Sequence, residues 1–126
     1  MILIGYNLWR SEQIKYVTDQ QITAYYKLYN QNRFDVIYKQ MTTNGLKSEV
    51  SLEQFTKVMK AHNKSLGSHH SIINSQNILT FHLNPAFRFF KTAYENKHQR
   101  GKSVDHIMWF KEEGFWKIHF IKATKP

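Results

Sequence analysis

The chain is expected to fold as an α+β domain: three N-terminal helices packed on a strongly bent four-stranded antiparallel sheet. Two observations predict this. The hydrophobic period changes once along the chain, from three- and four-residue steps up to Leu66 to strand-like runs from His70 onward. The stretch 102–122, KSVDHIMWFKEEGFWKIHFIK, then sets two runs of β-branched and aromatic residues on either side of a Glu-Glu-Gly turn signal, which reads as a hairpin. An antiparallel sheet needs one face covered, and the helices are the cover the chain offers.

Residues 1–17 read as an N-terminal arm ahead of a domain over 18–126. In the arm Ile2, Ile4, Tyr6 and Leu8 have period-2 spacing, as in a short strand or an extended packed segment. Thr18 is expected to cap the first helix with Gln21 as its capping-box partner. That helix runs to about Asn30 and buries Ile22, Tyr25, Tyr26 and Tyr29 on one face. Asn30-Gln31-Asn32 is a polar break. A second helix carries Phe34, Ile37, Tyr38 and Met41, and Thr42-Thr43-Asn44-Gly45 closes it with Gly45 as a left-handed stop. Ser51 and Gln54 form another capping box, opening a helix whose apolar face is Leu52, Phe55, Val58, Met59, His62 and Leu66. Gly67 closes it.

The four strands are expected over His70–Leu83, Phe87–Asn96, Val104–Lys111 and Phe115–Ala123. Asn84-Pro85, the segment Asn96–Lys102 and Glu113-Gly114 separate them. The last turn leaves two registers open. A two-residue turn pairs Met108 with His119 and His106 with Ile121; a three-residue loop pairs Ile107 with His119 and His106 with Phe120. Asp105 and His106 fall on opposite faces in both. Trp116, Ile118 and Phe120 share a face, which Trp109 joins only with the shorter turn.

At 126 residues the chain is long enough to bury its own core, and 41% hydrophobic with 15% aromatic residues excludes a disordered polymer. The absence of cysteine excludes disulfides and thiolate metal sites. The net charge of +9 favours anionic partners or reflects a lysine-rich surface. The apolar opening Met1–Ile4 is too short to span a bilayer and lacks the flanks of a signal peptide. A cytoplasmic protein is expected, or an exported, periplasmic one whose signal precedes residue 1.

YYKLYNQNRFDVIYKQM, SLEQFTKVMKAHNKSLG and EEGFWKIHFI, in this order over about residues 20–123, resemble the nuclear transport factor 2-like (cystatin-like) superfamily. The resemblance is nearest to its small bacterial proteins of unknown function. It implies a cone whose sheet wraps the first helix and leaves a mouth open. It also implies contact with another protein, including a second copy, through the outer sheet face. The superfamily holds isomerases, dehydratases, secretion-machinery domains, accessory factors and immunity-type binders, so the fold does not decide the activity.

An isomerase-type site in such a cone needs a carboxylate or histidine base and a donor for the developing oxyanion. His106, His119, Tyr26 and Tyr38 are the pocket candidates, with Asp105 on a neighbouring strand. No catalytic set emerges, because Asp105 and His106 cannot serve one pocket. The seven histidines include no His-x-His or His-x₃-His pair with a matched carboxylate; His69 and His70 are adjacent in a turn, so neither a metal nor a cofactor is expected. Lys57, Lys60 and Lys64 lie along the exposed side of the third helix. Lys97, His98, Arg100 and Lys102 form a basic tip. The expected function is a non-enzymatic protein-binding module, with Arg88, Lys91, Lys97, Arg100 and Lys102 as charged contacts and an acidic protein or a second copy as partner. The alternatives are a small-ligand binder or isomerase- or dehydratase-type enzyme, and a binder of anionic polymer. Nucleic acid is disfavoured, because no exposed aromatics interleave with the lysines.

Overall fold

The structure is a computed structural model and describes residues 19–78 and 89–126. The arm 1–17, the Thr18 cap, Asn84-Pro85 and Arg88 lie outside the described residues.

Among the described residues the fold is α+β, with four helices and an open four-stranded antiparallel sheet in the order β1-β2-β3-β4. Helix α1 covers residues 19–30. Its face of Ile22, Tyr25, Tyr26 and Tyr29 is buried, as the three- and four-residue spacing predicts. Helix α2, Phe34–Val36, is one short turn that widens into a π-helical turn at Ile37–Met41. It buries Phe34, Ile37 and Met41.

The second helix does not stop at Gly45. Gly45 lies inside a further helix, α3, Asn44–Glu49, which Thr43 caps by accepting the Leu46 N–H at 3.1 Å. The three expected helices are therefore four among the described residues. Helix α4, Leu52–Leu66, opens with the Ser51–Gln54 capping box and closes at Gly67, whose φ of 79° suits glycine. Phe55 and Met59 of α4 are buried, but Val58 is 67% exposed and does not share their face.

Strands β1 (His69–Ile78), β2 (Phe89–His98), β3 (Gly101–Glu112) and β4 (Phe115–Thr124) form the sheet. His70 lies in β1, as the strand expected from His70 has it, and His69 opens that strand instead of occupying a turn. The expected break at Asn96–Lys102 shrinks to a tight turn at Gln99-Arg100, since His98 pairs with Gly101. Contacts from α4 hold that turn. Arg100 N–H donates to the Leu66 carbonyl at 2.8 Å, and the Arg100 guanidinium binds the Ser65 carbonyl at 3.4 Å and that of Lys64. A cation on the last carbonyls of a helix also complements its dipole.

The β3–β4 turn has two residues, Glu113 (φ 52°) and Gly114 (φ 83°), the positive pair that suits the twist of a hairpin. The two-residue register holds from the turn to Trp109 and is lost beyond it, because β4 bulges at His119. Trp109 pairs with Ile118, but Met108 pairs with Phe120 and His106 with Lys122. The bulge sits where the start of α3 docks on β4. Thr43 N–H donates to the Ile118 carbonyl at 3.0 Å, and Thr43 Oγ1 lies 2.8 Å from His119 Nδ1. A one-residue shift flips alternation, so Phe120 leaves the face of Trp116 and Ile118 and stands 52% exposed. Trp109 and Ile118 stay in the core, with Trp116 and Ile121 packed against it.

Candidate functional site

Strand alternation sorts the sheet residues into two faces, and the two have different chemistry. The face turned from the helices carries Lys91, Ala93, Glu95 and Lys97 of β2, and Lys102, Val104, His106 and Met108 of β3. Phe120 and Lys122 follow on β4 beyond the bulge. Ala93, Met108 and Phe120 line a shallow concavity of about 210 Å³, with Lys91 and His106 on its rim. Lys97 pairs directly with Lys102, and His106 with Lys122. Like charges directly opposite each other weaken a sheet. The ion pair found among the described residues, Lys117–Glu112 at 3.8 Å, lies on this same face by alternation, towards the hairpin turn. The outer face is thus an apolar strip among charged residues, in which lysines outnumber Glu95 and Glu112.

The inner face carries a buried polar cluster. Asp105, 3% exposed, accepts from the Tyr26 hydroxyl at 2.6 Å and from Asn96 Nδ2 at 3.0 Å, both on Oδ2. Ser103 donates weakly to its other oxygen at 3.5 Å, and His98 Nε2 lies 2.9 Å from Ser103 Oγ. His69 Nε2 donates to Asn96 Oδ1 at 3.0 Å, and its ring stacks on Tyr26 with centroids 3.7 Å apart. His62 joins from α4 through a 3.0 Å contact with the Tyr29 hydroxyl. The rings of His62 and His69 each stand edge-on to His98, at 5.6 and 5.4 Å.

Burial shifts the ionisable members of this cluster towards their neutral forms. It holds His69 and His98 below the usual histidine range. At His98 the neighbouring rings of His69 and His62 add to the effect, while Asp105 opposes it. Burial, and then the Asp105 charge, push the Tyr29 hydroxyl up to about 12 and the Tyr26 hydroxyl higher still.

Of the four pocket candidates the structure brings only Tyr26 to Asp105. His106 is exposed on the outer face, 3.2 Å from Thr124 Oγ1. His119 occupies the bulge and stacks on Phe110 at 4.0 Å. Tyr38 donates to the Val50 carbonyl at 2.7 Å, holding the end of α3. Among the charged candidates, Lys91, Lys97 and Lys102 stand exposed on the outer face, and Arg100 is engaged with the end of α4. Sequence reasoning missed Asn96 and Ser103 as partners of Asp105, and His98 as the partner of Ser103. Their spacing of two from one another and from Asp105 was the available signal, hidden by ending β2 at Asn96 and opening β3 at Val104.

A larger groove of about 460 Å³ lies between α3, α4 and β4, with Glu49 and His119 as polar groups in an otherwise apolar lining. Neither cavity is lined by Tyr26 or Asp105. Among the described residues no group of three His, Cys, Asp or Glu side chains is placed to hold a metal ion, and no helix is long and apolar enough to cross a membrane. Searches against models of known protein families and against curated proteins find no match to this chain.

Proposed function

We propose that the chain is a non-enzymatic binding module of the nuclear transport factor 2-like type, which engages an acidic protein surface through the outer face of its sheet. The observation that carries this is the apolar strip of Ala93, Met108 and Phe120 with Lys91 opposite Met108, and the lysine pair Lys97–Lys102 further along the same face past Glu95 and Val104. Cross-strand like charges cost stability in the free protein. An anionic partner would offset that cost, and Met108 and Phe120 would supply apolar anchors between the charges. A chain of net charge +9 meeting its own copy lysine to lysine would add repulsion, which favours an acidic partner over a symmetric dimer through this face.

The Tyr26–Asp105 pair invites the alternative of an isomerase- or dehydratase-type site. Several features speak for a structural role instead. Asp105 is buried, and its bonds run to Tyr26, Asn96 and Ser103.

The test is affinity capture with immobilised wild-type protein beside Lys91→Glu/Lys102→Glu and Met108→Asp. Partners retained by the wild type and lost by both variants support the outer face. Partners retained equally by all three proteins would sink it. Retention on heparin that weakens steeply with salt, without loss in Met108→Asp, would favour the anionic-polymer alternative.

A further inference from the structure

The groove between α3, α4 and β4 is in the size range of pockets that take drug-sized molecules. Its floor is core: Leu46, Phe55 and Met59 are buried. Its walls include Val58, 67% exposed, and Phe120, 52% exposed. Two large apolar side chains thus stand in solvent on either side of an apolar floor. Covering them with an apolar body would release about 25 cal/mol for each Å² removed from water.

One polar side chain of the lining is held in a fixed pose. His119 Nδ1 lies 2.8 Å from Thr43 Oγ1, and the ring stacks on Phe110 with an interplanar angle of 14°. Gly45 leaves the ring its space, since a Cβ there would stand 2.7 Å from His119 Cε1. Thr43 Oγ1 already accepts the Leu46 N–H, so its own proton is available to Nδ1. In the tautomer in which Thr43 donates to Nδ1, the ring proton sits on Nε2 and is the donor left over for a ligand, and the binding proposed for the groove uses that tautomer. Glu49, at the end of α3, is the acceptor in the lining.

Charge and hydrogen bonding decide the head group. A carboxylate would sit beside Glu49, and an ammonium ion, having donors alone, cannot accept from the His119 N–H. A hydroxyl both accepts from His119 and donates to Glu49. We propose that this groove is a binding site for a neutral amphiphile, with an apolar body over Leu46, Phe55 and Met59 and a hydroxyl head between His119 and Glu49. The site stands apart from the lysines of the outer face and shares only Phe120 with the concavity there, so either proposal can fall without the other.

The experiment uses three probes with one chain length and three heads, decan-1-ol, decanoate and decylamine, each below its micelle concentration. Methyl NMR shifts of Leu46, Val50, Val58 and Met59 in the full chain give the readout. The expected result is saturable shifts with decan-1-ol that are weaker with both charged probes. Val58→Trp, at an exposed position, fills the groove and is expected to lower the affinity at least tenfold. His119→Phe keeps a ring against Phe110 but removes the donor, and is expected to lower it about threefold to tenfold. Absence of saturable shifts with all three probes would overturn the site. Tighter binding of decanoate or decylamine would overturn the neutral head. Unchanged affinity in Val58→Trp would overturn the location, and unchanged affinity in His119→Phe the donor.

Discussion

Tyr26 and Asp105, one on α1 and the other on β3, share a 2.6 Å hydrogen bond inside the protein. Asn96 bridges both, donating to the Tyr26 hydroxyl at 2.7 Å and to Asp105 at 3.0 Å. The contact therefore joins the first helix to two central strands through one buried carboxylate.

Tyr26→Phe removes the shortest donor to that carboxylate and leaves the ring in place. A cost of about 1–3 kcal/mol is expected, the penalty for leaving a buried polar group short of a partner. Asp105→Asn should cost less. Its carbonyl oxygen can take the Oδ2 position and accept from Tyr26 and Asn96, while its amide faces Ser103. Urea unfolding of both variants checks the order; a larger loss in Asp105→Asn would contradict the network as described.

Stability should fall on both sides of neutrality. His69 and His98 are held below the ordinary histidine value of 6.5 in the folded state, first by burial. As pH drops through 6.5 the unfolded chain takes up protons that the folded chain refuses, so stability is full above 6.5 and declines below it. Tyr25, Tyr26 and Tyr29 have hydroxyls held above 10.0. The unfolded chain loses those protons first, so stability also declines as pH rises past 10.0. The thermal midpoint measured from pH 5 to 11 should form a dome. Replacing His69 and His98 together with Gln should flatten its acid side, and an unchanged acid side would rule out these two rings as the cause.

Gly45 and His119 should behave as a coupled pair. Gly45→Ala alone forces His119 off Phe110 and Thr43, and is expected to destabilise. In a His119→Ala background the obstruction is gone. The same change should then stabilise by about 0.5–1 kcal/mol, the usual gain of alanine over glycine within a helix. A double-mutant cycle by chemical denaturation reads the change of sign, and additive effects would count against the contact.

Much of the fold was legible because local signals agreed with it. The buried face of α1, the Ser51–Gln54 capping box, the Gly67 stop and a turn at Glu113-Gly114 all follow from spacing and backbone preference. What could not be read was set by contacts distant in sequence. The His119 bulge depends on Thr43, 76 positions away, and moves Phe120 to the other face. Thr42-Thr43-Asn44-Gly45 contains both a helix stop and a helix start, and docking on Ile118 accompanies the start. Gln99 and Arg100 carry no turn signature, because the end of α4 holds that turn from outside, with Gln99 N–H on Ser68 and Arg100 on Leu66. Part of the buried cluster was hidden as well, since His98 fell in the expected break Asn96–Lys102 and Ser103 lay between that break and the strand expected from Val104.

The measurement to make is the comparison of Lys102→Glu with the wild type, in thermal stability and in partner capture together. Lys102→Glu turns a like-charge pair with Lys97 into an opposite-charge one. The expected result is a gain of about 0.2–1 kcal/mol in stability and a loss of captured partner. A variant that is more stable and still captures the same partner at wild-type levels would contradict the assignment of the outer face to binding.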